Sequence, residues 1–196
     1  PTAMKTYVNN IQTTGQFLLG LVSDCLDFEK LTAHKMALHN VPYPYEEFRN
    51  SIMLMISPLC RQKNITFTFS EAAPYTVSID KVRFEQIFFN VLSNAVKYTP
   101  EGGKINFEAN SHLSDDRKLV VCDFYVRDNG IGMSEQFQKK LFEPFEQENI
   151  ARKADQQGTG LGLSIVKELV ALMGGTIEIK SKLGKGTTVK IHLDME

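Results

Sequence analysis

The alternation of apolar and polar positions divides the chain into helical and extended stretches. Phe84, Ile87, Phe88, Val91, Leu92 and Ala95 recur at three- and four-residue spacing, which predicts a helix over Lys81–Tyr98 with one apolar face turned to a core. Tyr45–Lys63 and Leu161–Met173 are expected as further core helices, the second with Ile165, Val166, Leu169, Val170 and Met173 as its stripe. Period-two alternation marks Leu119–Arg127 as a strand with Val120, Cys122, Phe124 and Val126 on one face. Other strands are expected near Met36–Val41, Ile65–Ser70, Thr76–Ile79, Lys104–Asn110, Thr176–Ser181 and Thr187–Leu193. Ser134–Phe145 reads as helical, with Ser134 as N-cap. Met4–Lys30 reads as one long helix, in which Val8, Ile11, Leu18, Val22 and Cys25 form one stripe and Phe17, Leu21 and Phe28 a second. A helix apolar over so wide an arc needs cover on two sides, as in a bundle.

Three polar blocks interrupt this pattern. The first is Asn90, Asn94 and Lys97, which flank the apolar face of the Lys81–Tyr98 helix. Asparagine is a mediocre helix former, so two of them in a strong helix point to a use other than folding. Their amide oxygens suit Mg²⁺ where a polyphosphate already supplies negative charge, and Lys97 can meet a phosphate as a point charge. The second is Asp128-Asn129-Gly130-Ile131-Gly132-Met133: Asp128 continues the inward parity of its strand, and a buried carboxylate needs a donor such as an adenine amino group or a water. The third is Gly158-Thr159-Gly160-Leu161-Gly162 before a helix, where free backbone N–H groups and the helix dipole favour an anion. The spacing fits neither a dinucleotide fingerprint nor a P-loop.

As an ordered set these blocks resemble the ATP-binding region of sensor histidine kinases, a branch of the Bergerat-fold ATPases, over roughly residues 40 to 196. Asn90–Thr99 is similar to the N box, Asp128–Gly132 to the first glycine box, Leu141-Phe142-Glu143-Pro144-Phe145 to the phenylalanine box and Gly158–Gly162 to the second glycine box. Gly184-Lys185-Gly186-Thr187-Thr188 is similar to the final glycine-threonine element. The resemblance implies an α+β fold: a two-layer α/β sandwich, helices on one face of a mixed, mainly antiparallel sheet, with a bundle-type N-terminal helix. It implies ATP and Mg²⁺ as cofactors, with Asn90 and Asn94 on the metal, Lys97 on phosphate and Tyr98 along the adenine or ribose. Asp128 would bind the adenine amino group and Thr187 would reach the base through water. Gly130, Gly132, Phe142, Phe145, Gly158, Thr159, Gly160, Leu161 and Gly162 would complete the nucleotide site. Glu146–Gln157 would form a lid, with Arg152 and Lys153 available for phosphate. Hydrolytic relatives carry Glu where this chain has Asn90, and Asn is no general base near neutral pH, so the resemblance implies transfer to a protein nucleophile.

The same resemblance divides the chain into residues 1–31, the second helix of a dimerisation and phosphoacceptor hairpin, 32–44, a linker and first strand, and 45–196, the catalytic ATP-binding domain. The phosphoacceptor His of that family lies on a first hairpin helix, whose motif does not occur here. His34, His39, His112 and His192 lack its context and read as surface or edge residues. The implied activity is therefore protein-histidine kinase, with autophosphorylation requiring a histidine outside this sequence. Implied partners are that hairpin, a response-regulator receiver domain and a second copy through the N-terminal helix. Two other classes share features: a serine kinase of the anti-sigma-factor type, and a degenerate docking module that has lost catalysis.

Composition narrows the rest. With 196 residues, 42% of them hydrophobic, and a formal net charge of −1, the chain has material for a sizeable core and no basic face for nucleic acid. No apolar run is long enough for a bilayer, and Cys25, Cys60 and Cys122, widely spaced and odd in number, fit buried thiols in a reducing cytoplasm.

Overall fold

Residues 2–70, 75–116, 118–148 and 158–196 are described in a computed structural model, with side chains of the N-terminal helix from Leu18 onward. In chain order the elements are α1 (Thr2–Thr32), β1 (Val41–Pro44), α2 (Tyr45–Gln62), β2 (Thr66–Phe69), β3 (Thr76–Ile79) and α3 (Lys81–Tyr98). Then come β4 (Lys104–Leu113), β5 (Val120–Asp128), α4 (Glu135–Gln138), α5 (Gly162–Leu172), β6 (Thr176–Lys182) and β7 (Gly186–Met195).

Helix α3 organises the fold. Asp80 caps it by accepting the Arg83 N–H at 3.1 Å, and Phe84, Ile87, Phe88, Val91, Leu92, Ala95 and Val96 are all buried along one face. That face lies on a five-stranded sheet of order β2-β4-β5-β7-β6, in which only the β2–β4 pair is parallel. Strand β5 sits in the middle, and its inward residues Val120, Cys122, Phe124 and Val126 are buried as their period predicts. Helices α2 and α5 flank α3 on the same layer, so the fold is the expected α+β sandwich with helices on one face. An aromatic cluster joins the layers: Phe48 of α2 lies 4.7 Å from Phe84 and 5.1 Å from Phe88 between ring centroids, and Phe88 lies 4.7 Å from Phe124.

The structure corrects three expectations. The strand expected at Met36–Val41 forms instead at Val41–Pro44 and pairs with β3 in a separate two-stranded antiparallel ribbon. Register here is set by the partner strand: the His39 N–H is taken at 2.9 Å by the Asp80 carboxylate instead of a ladder, and Tyr43 enters the core. Pro42 and Pro44 are tolerated because β1 is an edge. The helix expected over Ser134–Phe145 is only the single turn α4, capped as predicted by Ser134, after which the chain continues in turns. Pro144 disfavours helical geometry at Glu143, and Phe145 takes a left-handed φ of 65°. Nor is His192 a plain edge residue, since its Nδ1 meets Asp123 Oδ1 at 2.9 Å and its Nε2 lies 3.4 Å from Asp194.

Helix α1 is long, as predicted. Its Cys25 and Phe28 pack against the core and Leu31 is buried, whereas Leu18, Leu19, Val22 and Leu26 are exposed. The side chains of Val8, Ile11 and Phe17 lie outside the described residues. Asp27 anchors α1 to α3 through Arg83 Nη1 at 2.7 Å and Gln86 Nε2 at 3.1 Å. The three cysteines are free, Cys60 and Cys122 buried and Cys25 partly so. Among the described residues no helix is long and apolar enough to cross a membrane.

Because Phe48 is 1% exposed and touches rings from α3, β4 and β5, Phe48→Ala should cost about 3–5 kcal/mol in urea denaturation. Leu54→Ala on the same helix, at a side chain 79% exposed, should change stability by no more than about 0.5 kcal/mol.

Candidate functional site

One cavity of about 360 Å³ opens between α3, the end of β5, the start of α5 and the strands β6 and β7. This volume suits a ligand of nucleotide size. Asn90, Asn94, Lys97 and Tyr98 line it from α3, Asp128 and Gly132 from the turn after β5, Gly158, Thr159, Gly160 and Gly162 from the glycine run, and Thr187 from β7. Positions singled out from separate stretches of sequence thus line one cavity.

The arrangement follows from the elements. Asn90 and Asn94 occupy the flank of α3 next to its buried face and look towards the N-terminus of α5. A Cβ at Gly162 would stand 3.7 Å from Asn90 Oδ1 and 3.9 Å from Asn94 Nδ2. The amide pair and the glycine run are therefore apposed across the cavity with no intervening side chain at Gly162. Lys97 Nζ reaches the same region: it lies 4.9 Å from the Tyr98 ring centroid and would be 2.8 Å from a Cβ at Gly158.

Asp128 closes the opposite end. Its Oδ1 accepts the N–H of Gly130 at 2.8 Å and of Thr187 at 3.3 Å, so Oδ2 is the oxygen without a hydrogen bond among the described residues. Burial pushes its carboxyl above the ordinary value, and the two backbone donors oppose this only in part. The surrounding turn is braced by close approach: with φ of 66° and 100°, Gly132 and Gly186 would each place a Cβ 2.0 Å from a carbonyl oxygen, of Lys182 and Asp128 respectively. No other residue fits at either position. Thr187 Oγ1 lies 2.9 Å from Ser181 Oγ, which joins the last two strands beside the carboxylate.

Four predicted contacts do not line the cavity. Leu161 is fully buried, so it belongs to the core instead of the ligand surface; glycines on both sides draw it into the motif, yet its side chain is turned inward. Gly130 serves Asp128 through its N–H. The Phe142 ring sits under Lys167 Nζ at 5.6 Å. Phe145 is 63% exposed, and its backbone N–H donates to Gly160 O at 3.0 Å. That bond and Gln147 Nε2 to Gly158 O at 2.6 Å tie the two ends of the expected lid together. Residues 149–157 of that lid, with Arg152 and Lys153, lie outside the described residues.

Other cavity residues are not singled out individually as ligand contacts in the sequence. Met133, Leu141, Ile179 and Val189 give the Asp128 end apolar walls suited to a flat base, and Glu146, Gln147 and Glu148 stand at the lid stem. Asp24 is the least foreseeable, since it comes from α1 and accepts the Thr159 hydroxyl at 3.1 Å across 135 residues of chain. Burial raises its carboxyl above the ordinary value, and Thr159 counteracts this in part. No local pattern in α1 marks that contact.

As a metal site the α3 side of the cavity offers two neutral amides, and no group of three His, Cys, Asp or Glu among the described residues could hold an ion alone. That donor set fits Mg²⁺ shared with phosphate oxygens and water, and not a metal held by protein ligands only.

Known proteins share this arrangement. The family described as "Histidine kinase-, DNA gyrase B-, and HSP90-like ATPase" matches residues 79–196. The chain is 31% identical over 195 residues to the autoinducer 2 sensor kinase/phosphatase LuxQ of Vibrio parahaemolyticus serotype O3:K6 (strain RIMD 2210633), covering 98% of this chain and 22% of LuxQ. It is 31% identical over 194 residues to the signal transduction histidine-protein kinase BarA of Escherichia coli (strain K12), covering 98% of this chain and 21% of BarA. The chain thus spans about a fifth of the length of these curated relatives. Among solved structures, full-length ShkA in complex with AMPPNP superposes with a TM-score of 0.80 at 30% identity over 97% of this chain and 38% of ShkA. The histidine kinase ThkA, solved with the response regulator protein TrrA, shares the fold with a TM-score of 0.72 at 22% identity, over 100% of this chain and 52% of that one. Since the family match runs from the residue that ends β3, through the amide-bearing helix, to the end of the chain, the protein belongs to the histidine kinase-, DNA gyrase B- and HSP90-like ATPases.

Proposed function

We propose that this chain binds ATP with Mg²⁺ and donates the γ-phosphoryl group to a histidine, as the catalytic part of a two-component sensor histidine kinase. One observation carries the reading: α3 presents Asn90 and Asn94 to the glycine run and contributes no carboxylate to the cavity. The amide oxygens would hold Mg²⁺ together with phosphate oxygens, Lys97 would meet phosphate, and the backbone N–H groups of Gly158–Gly162 would cradle the chain of phosphates. Asp128 Oδ2 would accept from the adenine amino group between the apolar walls. The ion's chemistry is neutralisation of the developing phosphate charge, and the protein's share is positioning. Without a base on α3 to activate water, ATP is held for an incoming protein nucleophile.

Residues 1–31 would then be the second helix of the dimerisation hairpin, 32–44 a linker with β1, and 45–196 the catalytic domain. The exposed row Leu18, Leu19, Val22 and Leu26 on α1 supports a bundle with a second copy and with the phosphoacceptor helix. A receiver domain of a response regulator would take the phosphoryl group onward. The buried free thiols agree with a cytoplasmic location.

The test is calorimetric titration of the chain with a non-hydrolysable ATP analogue, with and without Mg²⁺. Saturable binding strengthened by Mg²⁺ is expected, and a folded chain that binds nothing would leave the docking-module reading in its place. Asp128→Asn should weaken binding by at least about tenfold, because an amide cannot offer the charged acceptor. The same variant should be no less stable without nucleotide. Burial raises the folded pKa of Asp128, so its ionisation opposes folding as pH rises through that value, and the amide has no such penalty. In the wild type, affinity should fall on acidification at a pH above the ordinary aspartate value of 3.8, as Oδ2 becomes protonated. Asp24→Asn should act oppositely to Asp128→Asn, tightening the Mg²⁺-nucleotide complex by about two- to fivefold at low salt by removing a carboxylate beside the glycine run. Weaker binding by that variant would show that Asp24 assists the ligand.

A further inference from the structure

The end of α3 has an unusual termination. Four carbonyls at a helix C-terminus lack partners within the helix and carry the negative end of its dipole. Here all of them are satisfied. Ala95 O accepts the Thr99 N–H at 3.0 Å and Tyr98 O accepts the Ile131 N–H at 3.1 Å. The other two, Val96 O and Lys97 O, accept from one ammonium, Lys63 Nζ, at 2.7 and 3.0 Å, and the same nitrogen donates to Thr99 O at 2.6 Å. Lys63 sits immediately after α2 and outside the cavity.

Each neighbour of this contact is fixed. The Lys63 carbonyl accepts the Gly102 N–H at 3.0 Å, Asn64 Nδ2 donates to Glu101 at 2.7 Å, and the Thr66 N–H donates to Gly103 O at 2.9 Å, so the turn after α2 is laced to the turn after α3. Pro100 prevents α3 from running on, which makes Thr99 the stopping point. Partial burial disfavours the charged form of Lys63, and a desolvated ammonium is retained where its three donors are all used.

On the other side of this last turn lies the nucleotide cavity. Lys97 and Tyr98 face it with their side chains while Lys63 holds the backbone carbonyl of Lys97 from behind. The Tyr98 carbonyl, through Ile131, fixes the turn that carries Asp128 and Gly132. We propose that Lys63, the ammonium that closes the C-terminus of α3, is a positioning residue of the nucleotide site: it sets the last turn of α3, and thereby Lys97, Tyr98 and the Asp128 turn, without touching the ligand. The inference rests on the nucleotide reading of the cavity. Without the ammonium, three carbonyls lose their donor, the turn frays, and both ends of the cavity lose register together.

The experiment compares Lys63→Met and Lys63→Arg with the wild type, measuring affinity for a non-hydrolysable ATP analogue with Mg²⁺ at a temperature where thermal unfolding curves show each chain folded. Lys63→Met should bind about tenfold more weakly while folded. Lys63→Arg, which keeps charge and donors, should stay within about threefold of the wild type. A residue that merely stabilises the fold would lower the unfolding temperature and leave the affinity of the folded molecules unchanged, and that outcome overturns the proposal. Equal losses of affinity in both variants overturn it as well, since charge and donors would then be irrelevant. Should Lys63→Met not fold, Lys63→Gln, which retains a neutral donor, replaces it under the same criteria. A wild-type chain that fails to bind refutes the nucleotide reading itself and the inference with it. Wild-type binding with unchanged Lys63→Met binding refutes the inference alone.

Discussion

The structure depends on one helix having two jobs on adjoining faces. The apolar face of α3 is buried against β5 and the Phe48 cluster, which fixes its rotation about its own axis. Residues Asn90 and Asn94 sit one step round from that face, so rotation of the helix by a fraction of a turn would carry them away from the glycine run at α5. Core packing, which is dense and resists small displacement, therefore supplies the precision that the proposed metal and phosphate site would need.

At the far end of the cavity the balance is reversed. Asp128 is a carboxylate that burial disfavours, held by two backbone donors and boxed in by turns that admit glycine only at Gly132 and Gly186. Such a group is retained at the expense of stability, and the surrounding β5–β7 ladder is what tolerates it. A partly buried carboxylate with one oxygen uncommitted among the described residues is placed to take a donor from a ligand.

Much of this is legible in the sequence because it is periodic. The buried face of α3 and the inward row of β5 follow directly from spacing, and the parity of β5 alone puts Asp128 on the cavity side. Where periodicity ends, local patterns mislead. Leu161 resembles a ligand contact because glycines surround it, although a large apolar side chain beside a core helix is worth more when buried. Ser134–Phe145 has scattered apolar residues that suit a helix equally well as a set of turns, and Pro144 bars helix only at the C-terminal end of this stretch. Strand β1 is displaced because a short edge takes its register from β3 and from the Asp80 carboxylate, neither adjacent in sequence. Asp24 and Lys63 are out of reach for the same reason: each acts through a partner more than thirty residues away.

The two polar anchors of α1 differ in where they stand relative to the cavity. Asp27 is paired with Arg83 and Gln86 on the first turns of α3, and none of the three lines the cavity. Asp24, one helical turn earlier, accepts from Thr159 in the glycine run itself. A polyphosphate bound at those N–H groups would bring negative charge next to the partly buried Asp24 carboxylate, where Coulomb repulsion is less screened than on the surface. The two anchors therefore stand at different distances from anything the cavity holds, Asp24 beside the glycine run and Asp27 on the first turns of α3. By reciprocity, any affinity that a ligand in the cavity loses to Asp24 equals the free energy by which it weakens the Asp24–Thr159 contact.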